Sequence, residues 1–286
     1  MQARDLIARL EGALSSLYEP REAQQIARLV AADRAGLGDQ TSRLLADPAY
    51  PIIISEEELQ QLILRLAAGE PIQYVLGSTD FFGRCFQVDR RVLIPRPETE
   101  ELVDWVRREE HQAHRLLDVG TGSGCIAISL ALELPDVQVA AVDYSADALT
   151  VAHANALRLG AQVDFRKADA LRNLAEVFAE EEPFDVIVSN PPYVPEADKQ
   201  SMHRNVLDHE PHLALFVPDT DWLRFYRAIA RAGQHLLKPE GRLYFEIYSA
   251  AAEAMQELLA EEGYTAITLR HDLYNKPRMI CCQKNR

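Results

Sequence analysis

The sequence predicts an α/β protein in which a mostly parallel sheet, covered by helices on both faces, follows a small helical domain. From His114 onward, short apolar strands alternate with helical stretches, a pattern typical of parallel sheets. From Ala3 to about Ala68, apolar residues instead repeat every three to four positions, which indicates amphipathic helices. The chain has 286 residues, a length that favours two domains over one.

The N-terminal stretch carries both the apolar repeat and the signals that interrupt it. Leu6, Leu10 and Leu14 are spaced for one helix face, and we interpret them as bundle core. Breaks between short helices are predicted at Pro20, at 36–38 and at 47–48. Ser55, followed by three glutamates, is typical of a helix start. We therefore predict an N-terminal helical domain over residues 1–75.

Between the two regions the pattern changes. Residues 74–76 and 86–88 are rich in side chains that favour strands, and residues 81–84 can supply the turn of a hairpin. This predicts a β-hairpin linker over residues 76–95. It leaves residues 96–286 for the α/β domain.

The α/β domain contains seven strand candidates and four helix candidates. Strands are predicted over residues 115–119, 137–142, 163–166, 184–189, 241–247, 265–269 and 278–283. Helices are predicted over residues 125–133, 146–159, 221–237 and 250–262. Only residues 271–277 join the last two strands, too few for a crossover helix, so we expect an antiparallel hairpin at one edge. A ligand should lie at the carboxyl ends of the parallel strands.

Composition and charge argue against several classes of protein. The formal charge of -14 disfavours nucleic acid as the main partner, and no direct DNA binding is expected. The 4 cysteines form no Cys-x-x-Cys pair and the 8 histidines no His-Glu-x-x-His motif, so no metal site is predicted. Since no apolar run approaches the roughly 20 residues of a membrane span, we expect a cytoplasmic protein.

A glycine-rich turn follows the first strand of the α/β domain and opens a helix. Its residues are Gly120, Thr121, Gly122, Ser123 and Gly124. Glycine lets the backbone approach a ligand closely, and a helix N-terminus offers free N–H groups. Asp143 ends the next strand, where a carboxylate can accept hydrogen bonds from both hydroxyls of a ribose. Loop and acid together indicate an adenosine-type ligand.

The same residues also fit the dinucleotide-binding fingerprint. Gly122, Gly124 and Ala127 have its spacing, and Asp143 lies about 20 residues further on, as that fingerprint requires. A nicotinamide-dependent dehydrogenase is therefore an alternative at this point. Asp118, just before the loop, is interpreted as a residue that braces it.

A second motif, Asn190-Pro191-Pro192-Tyr193, ends the strand predicted over 184–189 and should face the bound cofactor. An amide or exocyclic NH2 nitrogen is a poor nucleophile because its lone pair is delocalised. It must be held so that this pair points at an electrophilic methyl group. The Asn190 side-chain oxygen and the Pro191 carbonyl can each accept one N–H, and Tyr193 can stack on the planar group. Catalysis would then rest on positioning and electrostatics.

The two motifs together resemble those of class I methyltransferases, which use S-adenosyl-L-methionine (SAM) to alkylate planar NH2 groups. Over nearly its whole length, the chain is similar to the bacterial release factor glutamine methyltransferases, the PrmC/HemK family. The further segments that carry this resemblance are residues 69–77, 81–83, 93–100, 209–211 and 214–215.

The resemblance implies a seven-stranded, Rossmann-like methyltransferase sheet with an antiparallel edge hairpin. It also implies an N-terminal domain that recognises the substrate and a catalytic domain over residues 96–286. The implied reaction transfers a methyl group from SAM to the side-chain amide nitrogen of the glutamine in the Gly-Gly-Gln tripeptide of peptide chain release factors. S-adenosyl-L-homocysteine is the second product.

Site roles follow from the same resemblance. It implies that the loop residues Gly120, Thr121, Gly122, Ser123 and Gly124 wrap the methionine and ribose of SAM, and that Asp143 binds the ribose hydroxyls. Asn190 would touch both SAM and substrate, while Pro191, Pro192 and Tyr193 complete the glutamine pocket.

At the adenine, Asp169 is expected to meet the amino group. The next residue, Ala170, is also expected to lie by the adenine, but the family often has an aromatic side chain there, so the chain departs from the pattern at this position. Glu210 is expected to bind the substrate, within a long stretch, 194–220, that we expect to close over the glutamine loop of the partner. Residues 96–100 are typical of a helix start, with a role in closing the cofactor pocket as the alternative.

Other functions share part of these motifs. A ribosomal-protein glutamine methyltransferase would use the same catalytic motif. A DNA adenine methylase would use it too, but should carry a target-recognition domain and a basic cleft, and neither is visible in the sequence. A protein that binds SAM and a translation partner without turnover would need no acceptor pair for an NH2 group.

Overall fold

The computed structural model describes residues 1–37 and 41–286. By contacts, these residues fall into two units: Met1–Asp80 with His203–His209, and Phe81–Met202 with Glu210–Arg286. Of the helix break predicted at 36–38, Gly38 lies outside the described residues. The predicted domain boundaries at residues 75 and 95 stay predictions.

The helical unit is built on a leucine-rich core. Its helices up to residue 80 are α1 (Ala3–Leu14), α2 (Pro20–Arg34), α3 (Thr41–Ala46), α4 (Glu56–Ala67) and α5 (Ile72–Leu76). Leu6, Leu10 and Leu14 are fully buried, as predicted for one face of α1. The Ser55 hydroxyl accepts a hydrogen bond from the Glu58 N–H at 3.1 Å. This contact confirms the predicted start of α4.

The strand predicted over residues 74–76 is wrong, because these residues form α5. The Arg65 side chain donates to the carbonyl oxygens of Tyr74 at 2.7 Å and Val75 at 3.1 Å, and it pairs with Glu70 at 2.7 Å. Gly77, with a φ of 78°, then ends the helix. Hydrogen bonds from a distant arginine thus outweigh the local preference for a strand.

A two-stranded hairpin follows, formed by β1 (Ser78–Phe81) and β2 (Arg84–Gln87). Its turn contains Phe82 and Gly83, with positive φ values of 49° and 71°. The turn predicted over residues 81–84 is thereby confirmed.

The second unit is centred on a seven-stranded sheet. In chain order, the remaining elements of the protein are α6 (Pro97–Glu109), β3 (Arg115–Val119), α7 (Cys125–Glu133), β4 (Gln138–Asp143), α8 (Ala146–Leu159), β5 (Val163–Lys167), α9 (Leu174–Val177), β6 (Phe184–Ser189), β7 (Val194–Pro195), α10 (Arg204–His209), β8 (Phe216–Val217), α11 (Arg224–Leu236), β9 (Leu237–Glu246), α12 (Ala252–Glu261), β10 (Tyr264–His271) and β11 (Pro277–Lys284). The sheet order in the described chain is β10-β11-β9-β6-β3-β4-β5. β11 is antiparallel to both neighbours and the other pairs are parallel, which confirms the predicted fold class.

Successive residues of the central strands face two separate cores. Leu116 and Tyr244 lie in the core shared with α6, α7 and α8, whereas Leu117 and Phe245 lie in the core shared with α9, α11 and α12. This alternation is expected of a sheet covered on both faces. Within the described ranges, no helix has the length and apolar character needed to cross a membrane.

Candidate active site

Three parallel strands end side by side where the predicted motifs lie. Val119, the last residue of β3, pairs with Val142 of β4 on one side and with Ser189 of β6 on the other. The predicted site residues that directly follow these three are Gly120, Asp143 and Asn190. The backbone pairing therefore brings the glycine loop, Asp143 and Asn190 together at the carboxyl ends of the parallel strands.

Backbone hydrogen bonds, two of them to the neighbouring strand β4, hold the glycine loop. The N–H groups of Gly120 and Thr121 both donate to the Val142 carbonyl, at 2.9 and 3.0 Å, and that of Gly124 donates to the Thr121 carbonyl at 2.8 Å. Gly120, Gly122 and Gly124 have φ values of 80°, 55° and 82°. Residues other than glycine rarely adopt positive φ values, so the loop depends on glycine at three positions.

These three glycines have different surroundings. A Cβ at Gly124 would lie 2.7 Å from Cδ1 of Ile128 and 3.2 Å from Cβ of Ala152, so glycine there permits α7 to pack against α8. A Cβ at Gly120 or Gly122 would meet no described atom within 4 Å. Gly124 therefore has a packing role, and a cofactor contact at that position stays a prediction.

Asp143 is tied to the glycine loop. Its Oδ2 accepts from the Gly122 N–H and its Oδ1 from the Ser145 N–H, both at 2.8 Å. Burial raises the pKa of Asp143, and the backbone N–H groups partly offset this effect. Each carboxylate oxygen keeps acceptor capacity beyond these bonds. The side chain can thus fix the loop and still receive two hydroxyl groups.

Asp118 braces the loop from inside the protein, as predicted. It is fully buried, and its Oδ2 accepts from the Thr121 hydroxyl at 2.6 Å and from the Ala127 N–H at 3.2 Å. Its Oδ1 has no hydrogen-bond partner among the described residues. Burial raises the pKa of Asp118 to about 7.

We expect Asp118→Asn to change the pH dependence of stability. The Asp118 pKa is raised from an ordinary 3.8 to about 7 in the folded protein, so the unfolded chain loses this proton at lower pH. As pH rises from 5 to 7, the wild-type free energy of unfolding should fall by about 2 kcal/mol relative to that of the variant. Urea unfolding of both proteins at three pH values measures this, and a constant difference would contradict it.

The motifs border one cavity of about 360 Å³. This volume lies in the range of small-molecule sites. The predicted residues that line it are Gly120, Gly122, Asp143, Asp169, Ala170, Asn190, Pro191 and Pro192. In the described structure, Thr121, Ser123, Gly124, Tyr193 and Glu210 are not part of this lining.

Asp169 and Ala170 lie in the cavity wall after β5. The Asp169 Oδ1 accepts from the Leu171 N–H at 2.9 Å, and its Oδ2 lies 3.5 Å from Nε of Arg172. Ala170 brings no ring, but Tyr144 and Phe225 line the same cavity. Neither of these two residues is among those predicted from the sequence. Tyr144 could have been found because it directly follows Asp143, whereas only the packing of α11 reveals Phe225.

A buried chain of hydrogen bonds orients Asn190. The Asn190 Nδ2 donates to Oγ1 of Thr99 at 3.2 Å, and the Thr99 hydroxyl donates to Oε2 of Glu246 at 2.6 Å. The Tyr193 hydroxyl donates to the second oxygen of Glu246 at 3.0 Å. Glu246 ends β9 and is 1% exposed. We define Asn190, Thr99, Glu246 and Tyr193 as the acceptor network.

Burial governs the electrostatics of the acceptor network. It raises the pKa of Glu246, while hydrogen bonds from Thr99 and Tyr193 and the charge of Arg278 act in the opposite direction. Burial and the Glu246 charge raise the pKa of Tyr193, so its hydroxyl stays protonated. The Tyr193 ring stacks on Tyr248, with ring centres 6.2 Å apart. The sequence signal that could have revealed Glu246 is a single acid at the end of an apolar strand.

Glu210 is an anchor for the loop that contains it. It is 4% exposed, its Oε1 accepts from Nη2 of Arg96 at 2.6 Å, and its Oε2 accepts from the Ile94 N–H at 3.2 Å. The neighbouring Pro211 and Leu213 line the cavity. These contacts make Glu210 a residue that holds part of the cavity wall, and its predicted contact with the substrate stays a prediction.

Known methyltransferases resemble this chain in sequence and in fold. Residues 110–284 match the family model described as a methyltransferase domain. The release factor glutamine methyltransferase of Bacteroides thetaiotaomicron is 44% identical over 284 residues, which cover 98% of this chain and 99% of that protein. The one from Flavobacterium psychrophilum is 45% identical over 226 residues, covering 77% and 78%. The crystal structure of a methyltransferase from Pyrococcus furiosus has the same fold, with a TM-score of 0.52 at 16% identity, covering 79% of this chain and 98% of that one.

The sheet order, the glycine loop and the family match define a class I methyltransferase. Within that class, the chain belongs to the family of release factor glutamine methyltransferases. The dehydrogenase interpretation of the glycine loop is thereby set aside.

The methyl donor of the enzyme is SAM. The residues present fit this molecule, because Asp143 keeps acceptor capacity for ribose hydroxyls and Gly120 and Gly122 leave the space beside them open. Tyr144 and Phe225 give the cavity aromatic walls for an adenine ring. The individual contacts with SAM stay predictions.

Proposed function

We propose that this enzyme transfers the methyl group of SAM to the side-chain amide nitrogen of the glutamine in the Gly-Gly-Gln tripeptide of peptide chain release factors. The observation that carries the proposal is a shared cavity. Asn190, Pro191 and Pro192 line the same 360 Å³ space as Gly120 and Asp143. A planar NH2 group held by the first three would therefore meet a methyl donor held by the other two.

SAM supplies a methyl carbon made electrophilic by the adjacent sulfonium. The amide nitrogen forms a bond to that carbon while the carbon–sulfur bond breaks, its electron pair goes to sulfur, and S-adenosyl-L-homocysteine leaves. The nitrogen then releases one proton to water. No covalent bond to the enzyme is required, so the protein contributes positioning and electrostatics.

Two acceptors on the protein do this positioning. The Asn190 side-chain oxygen and the Pro191 carbonyl each accept one N–H of the substrate amide, which directs the nitrogen lone pair out of the amide plane toward the methyl group. Proline at 191 has no N–H and a fixed φ, which keeps its carbonyl in place. Pro192 and Tyr193 complete the pocket around the planar group.

The remaining parts of the proposal concern recognition. Residues 1–75 act as a substrate-recognition domain, residues 76–95 as a linker, and the stretch 194–220 closes over the glutamine loop of the release factor. Glu210 contributes to that stretch by anchoring it to Arg96. The absence of direct DNA binding and the cytoplasmic location stay predictions.

Incubation with methyl-labelled SAM and separate purified release factor, ribosomal protein and DNA tests the function. We expect label on the release factor, and loss of that label when its tripeptide glutamine is replaced by alanine. Label on the ribosomal protein alone would favour a ribosomal-protein glutamine methyltransferase. Label on DNA would favour an adenine methylase, and either result would overturn the proposal.

A further inference from the structure

The acceptor network bears on which end of the Asn190 amide faces the substrate. The oxygen and nitrogen of an asparagine side chain have nearly the same size and shape, so packing alone hardly distinguishes the two orientations. Only the orientation with the oxygen toward the substrate can accept an N–H. The reversed orientation would present N–H to N–H and would repel the substrate amide.

Thr99 decides this orientation through its single proton. Its hydroxyl donates to Glu246 at 2.6 Å, within the range of short bonds to a charged acceptor. Once that proton is engaged, Oγ1 of Thr99 can only accept, and it therefore selects the Nδ2 end of Asn190, which lies 3.2 Å away. The Oδ1 atom of Asn190 is then the end of the side-chain amide that points away from Thr99.

Glu246 in turn fixes the direction of the Thr99 proton. A carboxylate has only acceptors, so both hydroxyls that reach it must donate, and Thr99 and Tyr193 do so on separate oxygens. Glu246 is 1% exposed and Thr99 is 2% exposed. Water therefore has little access to supply a competing donor, and the direction of the chain follows from the two hydroxyls that donate to Glu246.

We propose that Thr99 and Glu246 are positioning residues that polarise the Asn190 amide for the reaction. This inference rests on the proposed function, because it assigns a role in holding an NH2 substrate. Thr99 lies in the first turn of α6 and Glu246 at the end of β9. Neither residue lies in the cavity lining of the described structure, so both act through Asn190.

Thr99→Val tests the proposal, because valine keeps the shape of threonine and removes the hydroxyl. We expect kcat for release factor methylation to fall about 10- to 100-fold, the cost of a misplaced reacting group, while the Kd for SAM stays near the wild-type value. Thr99→Ser restores the hydroxyl and should recover most of kcat. Tyr264→Phe is the matched control, since it removes another buried hydroxyl, which donates to the Ala230 carbonyl at 2.7 Å and, in the described structure, makes no bond to the acceptor network.

A second measurement does not depend on activity. The chain contains six asparagines, so protein labelled with 15N only in asparagine gives six side-chain NH2 signals, and Asn190→Ala identifies the pair that belongs to Asn190. In Thr99→Val, the proton of that pair that is bonded to Thr99 should move upfield. It should stay at its wild-type position in Thr99→Ser and in Tyr264→Phe.

The outcomes separate the two proposals. If wild-type enzyme labels no release factor, the proposed function fails, and the NMR comparison still reports whether Thr99 holds the Asn190 amide. If wild-type enzyme is active and Thr99→Val keeps its kcat, or loses kcat without recovery in Thr99→Ser, the positioning role is overturned. An Asn190 signal that does not move in Thr99→Val overturns it as well. Thermal unfolding of each variant confirms that it is folded during the assay.

Discussion

Asn190→Ala is expected to reduce kcat by about 1000-fold, to the limit of detection, and to leave the fold intact. The variant removes one of the two acceptors that hold the substrate NH2 group, and loss of one such preorganised contact costs about 100- to 1000-fold in comparable enzymes. Asn190 is half-buried in a loop after β6 and contributes little to either core, so unfolding should be only slightly affected. Transfer of labelled methyl to a release factor measures the loss.

Asn285→Ala provides the matched control for this substitution. Asn285 also donates through its side chain to a protein oxygen, the Gly263 carbonyl at 3.0 Å, but it lies at the far end of β11. We expect it to keep wild-type kcat. Activity of Asn190→Ala within tenfold of wild type would show that the motif does not hold the reacting group.

Asp143→Ala is expected to weaken SAM binding about 100-fold. The carboxylate accepts from two backbone N–H groups, and we predict that it also receives two ribose hydroxyls. A hydrogen bond to a charged group contributes about 1.5–3 kcal/mol, and loss of two such bonds to the ribose gives a factor of about 100 or more. The freed Gly122 N–H also leaves the glycine loop less ordered before binding. Calorimetric titration with SAM or S-adenosyl-L-homocysteine gives the Kd.

Two further variants sharpen this measurement. Asp143→Asn keeps the shape of the side chain but replaces one acceptor by a donor, so its Kd should fall between those of wild type and Asp143→Ala. Asp136→Ala removes an exposed acid just before β4 and should leave the Kd unchanged. Equal Kd values for all four proteins would mean that the ribose is bound elsewhere.

The elements around the site could be predicted closely because their signals are local. β3, β6, α7 and α8 begin and end at the predicted residues. In α8, for example, the Ser145 side chain accepts from the Ala148 N–H, and Gly160 ends the helix with a φ of 73°. Apolar runs bounded by such caps specify an element without reference to the rest of the chain.

Predictions failed where distant residues decide the structure. Residues 74–76 lie in a helix, and the Arg65 side chain donates to the carbonyl groups of Tyr74 and Val75 there. β9 begins at Leu237 instead of the predicted 241. Leu237 already pairs with Phe184 of β6, and regular pairing resumes at Arg242 after an irregularity in which Glu240 has a φ of 65°. The site shows the same limit. Thr99 and Glu246 are 147 residues apart, so no local pattern could reveal that they share a hydrogen bond.

β11 lies between β9 and β10 in the sheet although it is the last of the three in the chain. While the protein is being synthesised, the edge of β9 therefore has no partner until residues 277–284 have left the ribosome. The parallel strands that carry the glycine loop and Asn190 are all made earlier and can already pair. An unpaired strand edge is a site of association between incompletely folded chains. The nascent enzyme thus exposes an unpaired strand edge at β9, and pairing with β11 covers that edge.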